Sequence, residues 1–318
     1  PDCETQWQQR KQDYKEALKW FKLAADQGNA DAQIYLGNMY YGGQDVNQDF
    51  TQAREWFELA ATQGRANAQN NLGWMYYIGQ GVNQNVIKAC EWFEKAAEQD
   101  DAAAQSNLGV IYYGGQGVNQ DLIKAREWFE KAAGQGNTYA QYHTGFMYHH
   151  GEGVDQNFKK AREWYELAAD QGNAASQYNL GLIYANGLGV PKNLTKAHEY
   201  FELAAKQGHV LAQNILGEMY YYGNDIPQDF TKAIKFYEKA AQQGHAFAQN
   251  NLGKMYEKGQ GCTQDFTKAC ELYELAAQQG NADAQYNLGR MYQSGKGCIK
   301  DTTKAHKWIE QSAQQGNA

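Results

Sequence analysis

The chain has 318 residues, of which 14% are aromatic and only 3 are proline, and its formal net charge is -7 at pH 7. So many aromatic residues exclude a disordered chain, and the lack of an apolar run of about 20 residues excludes an integral membrane protein. The acidic balance provides no basic surface for phosphate backbones, so we expect no nucleic-acid partner. The 33 glycines need a structural reason.

The N-terminal residues 1–12 do not share the pattern of the rest of the chain. We predict that they form a divergent cap or the remainder of a repeat. Residues 13–318 are predicted to form one repeat domain, because a single period runs through them without a linker. Glycine recurs every 36 residues in this domain, with Asp100 as the one exception, at Gly28, Gly64, Gly136, Gly172, Gly208, Gly244, Gly280 and Gly316.

Each period is predicted to contain two helices. In the first helix, for example residues 31–41, Leu36, Met39 and Tyr40 recur at spacings of three and four and share one face. The second helix begins after an Asp or Asn, whose side chain can accept hydrogen bonds from the free amides of the first turn. These predicted N-caps are Asp13, Asp49, Asn85, Asp121, Asn157, Asn193, Asp229, Asp265 and Asp301.

A glycine also lies inside every first helix, where it costs about 1 kcal/mol relative to alanine. Eight such glycines indicate a packing reason, and we predict the close approach of a neighbouring helix with a bulky aromatic side chain beside it. They are Gly37, Gly73, Gly109, Gly145, Gly181, Gly217, Gly253 and Gly289. Helix pairs of this size cannot bury their apolar faces alone, so the sequence predicts an all-α fold, an α/α solenoid of stacked pairs.

Two consecutive patterns carry a resemblance to a known family. They are Ala-Gln-x-x-Leu-Gly-x-Met-Tyr-x-x-Gly-x-Gly-Val and Asp-Phe-x-Lys-Ala-x-x-Trp-Phe-x-x-Ala-Ala-x-Gln-Gly, and together they cover about residues 13–318. This closely resembles the Sel1-like repeat family, a relative of the tetratricopeptide repeats. The resemblance implies a right-handed superhelical solenoid of about eight 36-residue repeats, with first helices along the concave side. It also implies an adaptor, receptor or assembly factor, and many such proteins are exported by bacteria.

Positions that are 36 residues apart form a column, which is named by its residue number in the first repeat. The columns that vary between repeats are candidates for the binding surface. With Leu36 at the centre of the buried face and about 100° per residue, positions 31, 34, 38, 41 and 42 point outward. Column 38 is apolar in four successive repeats and then charged at Glu218, Lys254 and Arg290. At about 9–10 Å per repeat, the apolar part is a trough of about 40 Å, which an extended peptide of about 12 residues would span.

We therefore predict that a protein or peptide partner binds along this trough. The predicted partner-binding residues are Trp74, Tyr77, Val110, Tyr113, Tyr139, Phe146, His149 and Leu182. The alternative is that adjacent first helices bury column 38 between them. An asparagine column adds Asn71, Asn107 and Asn179, whose amides suit a peptide backbone but could equally form hydrogen bonds between repeats. The invariant glutamines of the Gln33 column are interpreted as structural.

Nothing in the sequence indicates catalysis, a metal or a cofactor. No Gly-x-Ser-x-Gly or phosphate-binding glycine motif occurs. His143 and His150 share a helix face but lie seven residues apart, so a zinc site is not favoured over partner-facing or partly buried histidines. The stacking distance separates Cys262 from Cys298, whereas a bridge between Cys262 and Cys270 stays open.

The sequence thus predicts a non-enzymatic scaffold or adaptor, expected in the periplasm or outside the cell. One alternative from the family is an immunity or inhibitor protein that neutralises a bacterial effector enzyme. Another is a β-lactam hydrolase, as attributed to cysteine-rich relatives, against which the missing bridges and nucleophile argue. The partner's identity and the oligomeric state are left open.

Overall fold

The computed structural model describes residues 16–43, 46–223 and 226–316. The chain divides into two compact units, with the boundary between Leu167 and Ala168, and each is described by itself. The predicted remnant at residues 1–12 lies outside the described residues. That residues 13–318 form one domain therefore stays a prediction.

Helices separated by short turns follow one another along both units, and no strand occurs in the described ranges. Residues 16–26 are helical. The first unit continues with α1 (Ala30–Gly42), α2 (Phe50–Thr62), α3 (Ala66–Ile78), α4 (Val86–Ala97), α5 (Ala102–Gly114), α6 (Leu122–Gly134) and α7 (Thr138–His150). The unit boundary falls within α8 (Phe158–Asp170). The second unit contains α9 (Ala174–Asn186), α10 (Leu194–Lys206), α11 (Val210–Tyr222), α12 (Phe230–Gln242), α13 (Ala246–Lys258), α14 (Phe266–Gln278), α15 (Ala282–Ser294) and α16 (Thr302–Gln314).

Each helix packs mainly against the helices before and after it in the chain, from α1 to α7 and again from α9 to α16. This nearest-neighbour packing is what defines a helical solenoid. The predicted all-α solenoid fold is therefore confirmed.

The glycine inside each first helix is a site of close helix approach, as predicted. A β-carbon at Gly109 would lie 2.6 Å from the ring of Phe129, which is fully buried on the partner helix α6. The same contact recurs at the other glycines, with Phe57, Phe93, Tyr165, Phe201, Tyr237, Tyr273 and Ile309. The glycine column therefore lets a large side chain fit directly against a helix backbone.

The helix ends also follow the predicted pattern. The Asp121 side chain accepts a hydrogen bond from the Lys124 amide at the start of α6, and the other described Asp and Asn caps do the same for their own helices. Asp13 lies outside the described residues. Asp100 has a φ of 61°, so it takes the left-handed conformation of the glycines in its column despite its side chain.

The invariant glutamines connect three helices, which confirms their structural role. Gln105 is buried at the start of α5, and its Nε2 donates to the carbonyl of Ala97 at the end of α4. Its Oε1 accepts from Nε2 of Gln135, which follows α6, at 2.8 Å. The pair repeats with the same sequence separation of 30 residues from Gln33 with Gln63 to Gln285 with Gln315. Each link adds a side-chain hydrogen bond to a carbonyl in the last turn of a helix, which also accepts from a backbone amide of the turn that follows.

Gly109→Ala tests the close approach. The new methyl would overlap the Phe129 ring, so we expect the free energy of unfolding to fall by about 1–3 kcal/mol, despite alanine's better helix propensity. Gly134→Ala is the matched control, because a β-carbon there meets no atom within 4 Å. Urea unfolding of both variants checks this, and equal stability of the two would contradict the steric explanation.

Candidate functional site

Five of the predicted partner-binding residues line one pocket of the first unit. The pocket has a volume of about 470 Å³ and lies across the first helices α3, α5 and α7. Trp74 and Tyr77 come from α3, Asn107 and Val110 from α5, and Tyr139 from α7. Their spacing by the repeat period brings these side chains together from three consecutive repeats. The sequence therefore identified most of the large side chains around this pocket.

The space itself comes from two small residues that we did not single out. Ala103 and Ser106 lie on α5 and line the pocket between the α3 and α7 side chains. The next repeat has Tyr139 and Tyr142 in the same two columns. The sequence therefore contained a signal for this pocket, which is a repeat with small residues in columns 31 and 34 followed by a repeat with tyrosines in both. Phe93, Ile111 and Asn137 complete the lining.

The pocket is apolar and open to solvent. Trp74 is 39% exposed and Tyr139 is 50% exposed, while Val110 is half-buried. No charged residue lines the pocket. Trp74 is therefore not buried between adjacent first helices, which was the alternative for column 38. Indole and phenol rings at an accessible, uncharged site can contact an apolar side chain and still offer N–H and O–H groups at the rim.

Column 34, in contrast, is mostly covered rather than outward as predicted, although Tyr286 is 43% exposed. Ser106, Asn214 and Asn250 are buried. Adjacent first helices cover this column, because Asn107 Nδ2 donates to Asn70 Oδ1 at 3.0 Å and Asn287 Nδ2 donates to Asn250 Oδ1 at 3.0 Å. The helical wheel of one repeat could not show that the following helix covers position 34.

The asparagine column therefore has the inter-repeat role that the sequence left open. Asn107 makes such a bond and still lines the pocket. Asn71 Nδ2 lies 3.5 Å from Asn38 Oδ1 of the preceding repeat. Asn179 is half-buried in the second unit. That these amides also bind a partner stays a prediction.

The remaining predicted residues of the first unit lie outside the pocket. Tyr113 is half-buried and its hydroxyl donates to Glu152 Oε2 at 2.7 Å. Burial, together with this bond, raises the pKa of Tyr113 to about 12. Phe146 packs on His150 with ring centroids 4.2 Å apart, and the His149 ring meets Phe158 edge to face. These side chains extend the aromatic surface along α7.

His143 is the most perturbed histidine of this surface. Its ring stacks on Phe129 at 5.0 Å and lies 4.2 Å from Tyr139, and its Nδ1 is buried without a hydrogen-bond partner. Burial among these rings lowers its pKa to about 4. His143 is therefore the partly buried histidine that the sequence had left as one option.

Leu182 belongs to the second unit and lines a different pocket, of about 760 Å³. Leu194 and Ile215 contribute to its apolar part, and Glu218 adds a carboxylate. Asn214 Nδ2 donates to Glu218 Oε1 at 2.9 Å, while burial raises the pKa of Glu218. The sequence treated Glu218 as part of a charged end, but the structure places it beside Leu182.

In the described ranges, no three His, Cys, Asp or Glu side chains are grouped as metal ligands. The described cysteines, Cys90, Cys262, Cys270 and Cys298, are free thiols. No helix of the described chain has the length and apolar character needed to cross a membrane.

Comparison with known families finds nine consecutive matches to the Sel1 repeat. They cover residues 8–29, 30–64, 66–101, 102–137, 138–173, 174–209, 210–245, 246–281 and 282–317. No curated protein matches the chain in sequence.

Solved structures with similar folds include two with substantial sequence identity. One is a protective antigen present in uropathogenic Escherichia coli strains, described as displaying an SLR fold, with 40% identity and a TM-score of 0.90 over 94% of this chain. This chain spans 64% of that protein's chain. The other is a Sel1 repeat protein from Oxalobacter formigenes, with 32% identity and a TM-score of 0.72, covering 94% of this chain and 87% of that one.

An immunity protein from Pseudomonas aeruginosa is a more distant neighbour. It is 22% identical, with a TM-score of 0.41, over 67% of this chain and 81% of that one. A likeness at this level carries no argument about function.

The environment of His143 predicts a pH-dependent stability. In the unfolded chain His143 takes up a proton near pH 6.5, but in the folded chain it does so only near pH 4. The buried neutral ring therefore contributes to the free energy of unfolding, and this contribution is complete above pH 6.5 and is lost as the pH falls toward 4. The expected loss is about 3 kcal/mol. His143→Asn, which installs the residue of Asn71 and Asn107, should remove it.

Urea unfolding at several pH values checks this prediction. The difference between the original protein and the variant isolates His143 from the other titrating groups. His306→Asn, at an exposed position, is the control and should leave the pH dependence unchanged. A His143 variant with the full pH dependence would show that this ring is not responsible.

Proposed function

Because the chain belongs to the Sel1 repeat family, whose members generally mediate protein–protein interactions, we propose that it is a non-enzymatic binding scaffold. The proposed partner is a protein or peptide that binds the first-helix face with an apolar side chain. The observation that carries the proposal is the uncharged pocket formed by Trp74, Tyr77, Val110 and Tyr139.

The pocket has the properties of an anchor site. Its volume of about 470 Å³ is large enough for bulky apolar side chains of a partner. Trp and Tyr are the residues that most often dominate binding energy, because they bury large areas with little loss of conformational freedom. Asn107 and Asn137 add amides to the lining, and these can bond to the partner's backbone.

The fold supports binding without a conformational change. Trp74 stands on a helix whose backbone is held by the Gly73–Phe93 contact, and the Gln69–Gln99 hydrogen bond fixes the same repeat. A partner therefore meets side chains that are already in place, which lowers the entropic cost of association.

Export is the second part of the proposal. It is supported by the family's many exported members and by the relative described as a protective antigen in uropathogenic Escherichia coli strains. We expect the full-length protein in the periplasmic or extracellular fraction of the bacterium that encodes it. Fractionation with a cytoplasmic marker enzyme checks this, and co-fractionation with that marker would contradict export.

The immunity-protein alternative rests on the family resemblance alone, because the immunity proteins among the neighbours are at most 22% identical to this chain. A partner enzyme whose activity is blocked by this chain would nevertheless use the same anchor. The hydrolase alternative rests on the resemblance to cysteine-rich relatives alone.

A selection of random peptides displayed on phage tests the pocket. We expect the selected peptides to share a large apolar residue. Trp74→Ala should weaken their binding by about 30-fold, which corresponds to a loss of about 2 kcal/mol at an anchor position. Calorimetric titration of one selected peptide measures the change.

Tyr139→Ala and Phe247→Ala form the matched control. The two positions share a repeat column and are both exposed, but only Tyr139 lines the pocket. We expect Tyr139→Ala to weaken binding and Phe247→Ala to leave it unchanged. Peptide binding that is unchanged by Trp74→Ala and Tyr139→Ala but is lost on charge reversal of Glu218, Lys254 and Arg290 would contradict this pocket and place the site at the charged residues of column 38.

A further inference from the structure

Two of the described cysteines meet across a repeat boundary in the second unit. Cys270 is on α14 and is 5% exposed. Cys298 lies between α15 and α16, in the next repeat, and is half-buried. Cys298 is close enough to Cys270 to perturb its thiol, and it packs against the apolar cluster that contains Cys270.

This contact follows from the geometry of the repeat. The second-helix position of Cys270 faces the loop of the next repeat, as at Arg126, whose Nε donates to the carbonyl of Gly153 at 3.3 Å. Gly297, which precedes Cys298, lies against the carbonyl of Phe266, one turn before Cys270. The loop is therefore held directly over this face of α14.

At two other repeat boundaries, only one of the two positions equivalent to Cys270 and Cys298 is a cysteine. Cys90 shares its cluster with Val118, and Cys262 shares its cluster with Ile234, each pair having the sequence separation of Cys270 and Cys298. Only the 270/298 boundary has a thiol on both sides among the described residues. The described repeats thus contain one cysteine pair and two single counterparts, Cys90 and Cys262, which serve as internal controls.

Cys262 is the competing partner for Cys270. The Cys262 thiol donates to the carbonyl of Met255 at 3.9 Å, and the charged groups near it are Lys268, Glu238 and Asp265. Cys270 is instead next to Cys298, Glu274 and Glu271. The Cys262–Cys270 bridge that the sequence left open is therefore not the pairing that this packing favours.

We propose that Cys270 and Cys298 are a redox modification site, at which a disulfide forms between adjacent repeats by exchange with a small-molecule disulfide. This inference does not depend on the proposed binding function. It needs only the contact between the two thiols and an oxidant of the disulfide class.

The exchange takes place in two steps. The half-buried Cys298, as its thiolate, attacks one sulfur of the oxidant and releases one oxidant thiolate, which takes a proton. Cys270 then loses its proton and attacks the Cys298 sulfur, which releases the second oxidant thiol and forms the Cys270–Cys298 bond. Two protein thiols are oxidised and one external disulfide is reduced to two thiols.

The two thiols have different roles in this exchange. Burial, and then the contact with Cys298, raises the pKa of Cys270 to about 12, so its thiolate is scarce at neutral pH. Cys298 is the more accessible sulfur and receives the oxidant first. We therefore expect a mixed disulfide at Cys298 as the intermediate, with the closing step as the slow one.

Oxidation of the folded protein with glutathione disulfide tests the proposal. Of the five cysteines in the chain, two should become resistant to alkylation, with a mass lower by two hydrogens and no glutathione retained. Digestion without reductant should yield one cross-linked peptide pair containing Cys270 and Cys298. Dithiothreitol should restore both thiols.

Three variants use the repeat's own columns as controls. Cys298→Val installs the residue found at Val82, Val118 and Val154, so the fold is kept, and the cross-link should disappear. Val118→Cys should create a second cross-link, with Cys90. Ile234→Cys should create one with Cys262.

Three outcomes would overturn the proposal. One is a stable glutathione adduct on Cys298 with Cys270 still free, which would show that the sulfurs cannot reach bonding geometry. Another is a cross-link of Cys262 with Cys270 in the original protein. A cross-link in Val118→Cys but none in the original protein would also reject the site at Cys270.

Discussion

The contact between a glycine in each first helix and a large side chain in its partner helix sets the spacing of the two helices of a repeat. At Gly109 there is no room for even one methyl group beside Phe129, so the ring packs directly against the α5 backbone. Because the same contact recurs in every repeat, the helix spacing recurs too. The glycines inside the first helices and the rings beside them are therefore abundant for one reason, whereas the glycines with positive φ end helices or lie in loops.

This constraint divides the residues of a repeat into two groups. One group is the glycine inside the first helix, the large side chain that packs on it and the glutamine that joins three helices, and these set the helix spacing. Specificity must therefore come from columns that do not set the spacing. In the repeat of α5, Ala103 and Ser106 are small where the next repeat has tyrosines, and the pocket is the space that they leave. Variation at two positions is enough, because the neighbours on both sides stay in place.

Much of the fold could be predicted because the interactions within one repeat are local. The caps, the Gly109–Phe129 contact and the outward position of Trp74 all follow from spacing along the chain. Burial of Asn214 and Asn250 could not, since it depends on how far the next first helix overlaps the last. The Cys270–Cys298 contact was missed for the same reason, because it joins different columns of two repeats. The burial of His143 could not be predicted either, because the rings around it come from several helices.

Nearest-neighbour packing also separates the two functional features from each other. In such an array a local change is felt by the adjacent helices and passes further only if each successive interface responds. The pocket uses helices α3, α5 and α7, whereas the thiol pair joins α14 to the loop before α16. Within each repeat the glycine contact resists small shifts in the spacing of its two helices. A disulfide at Cys270 and Cys298 would therefore act first on its own repeat boundary in the second unit.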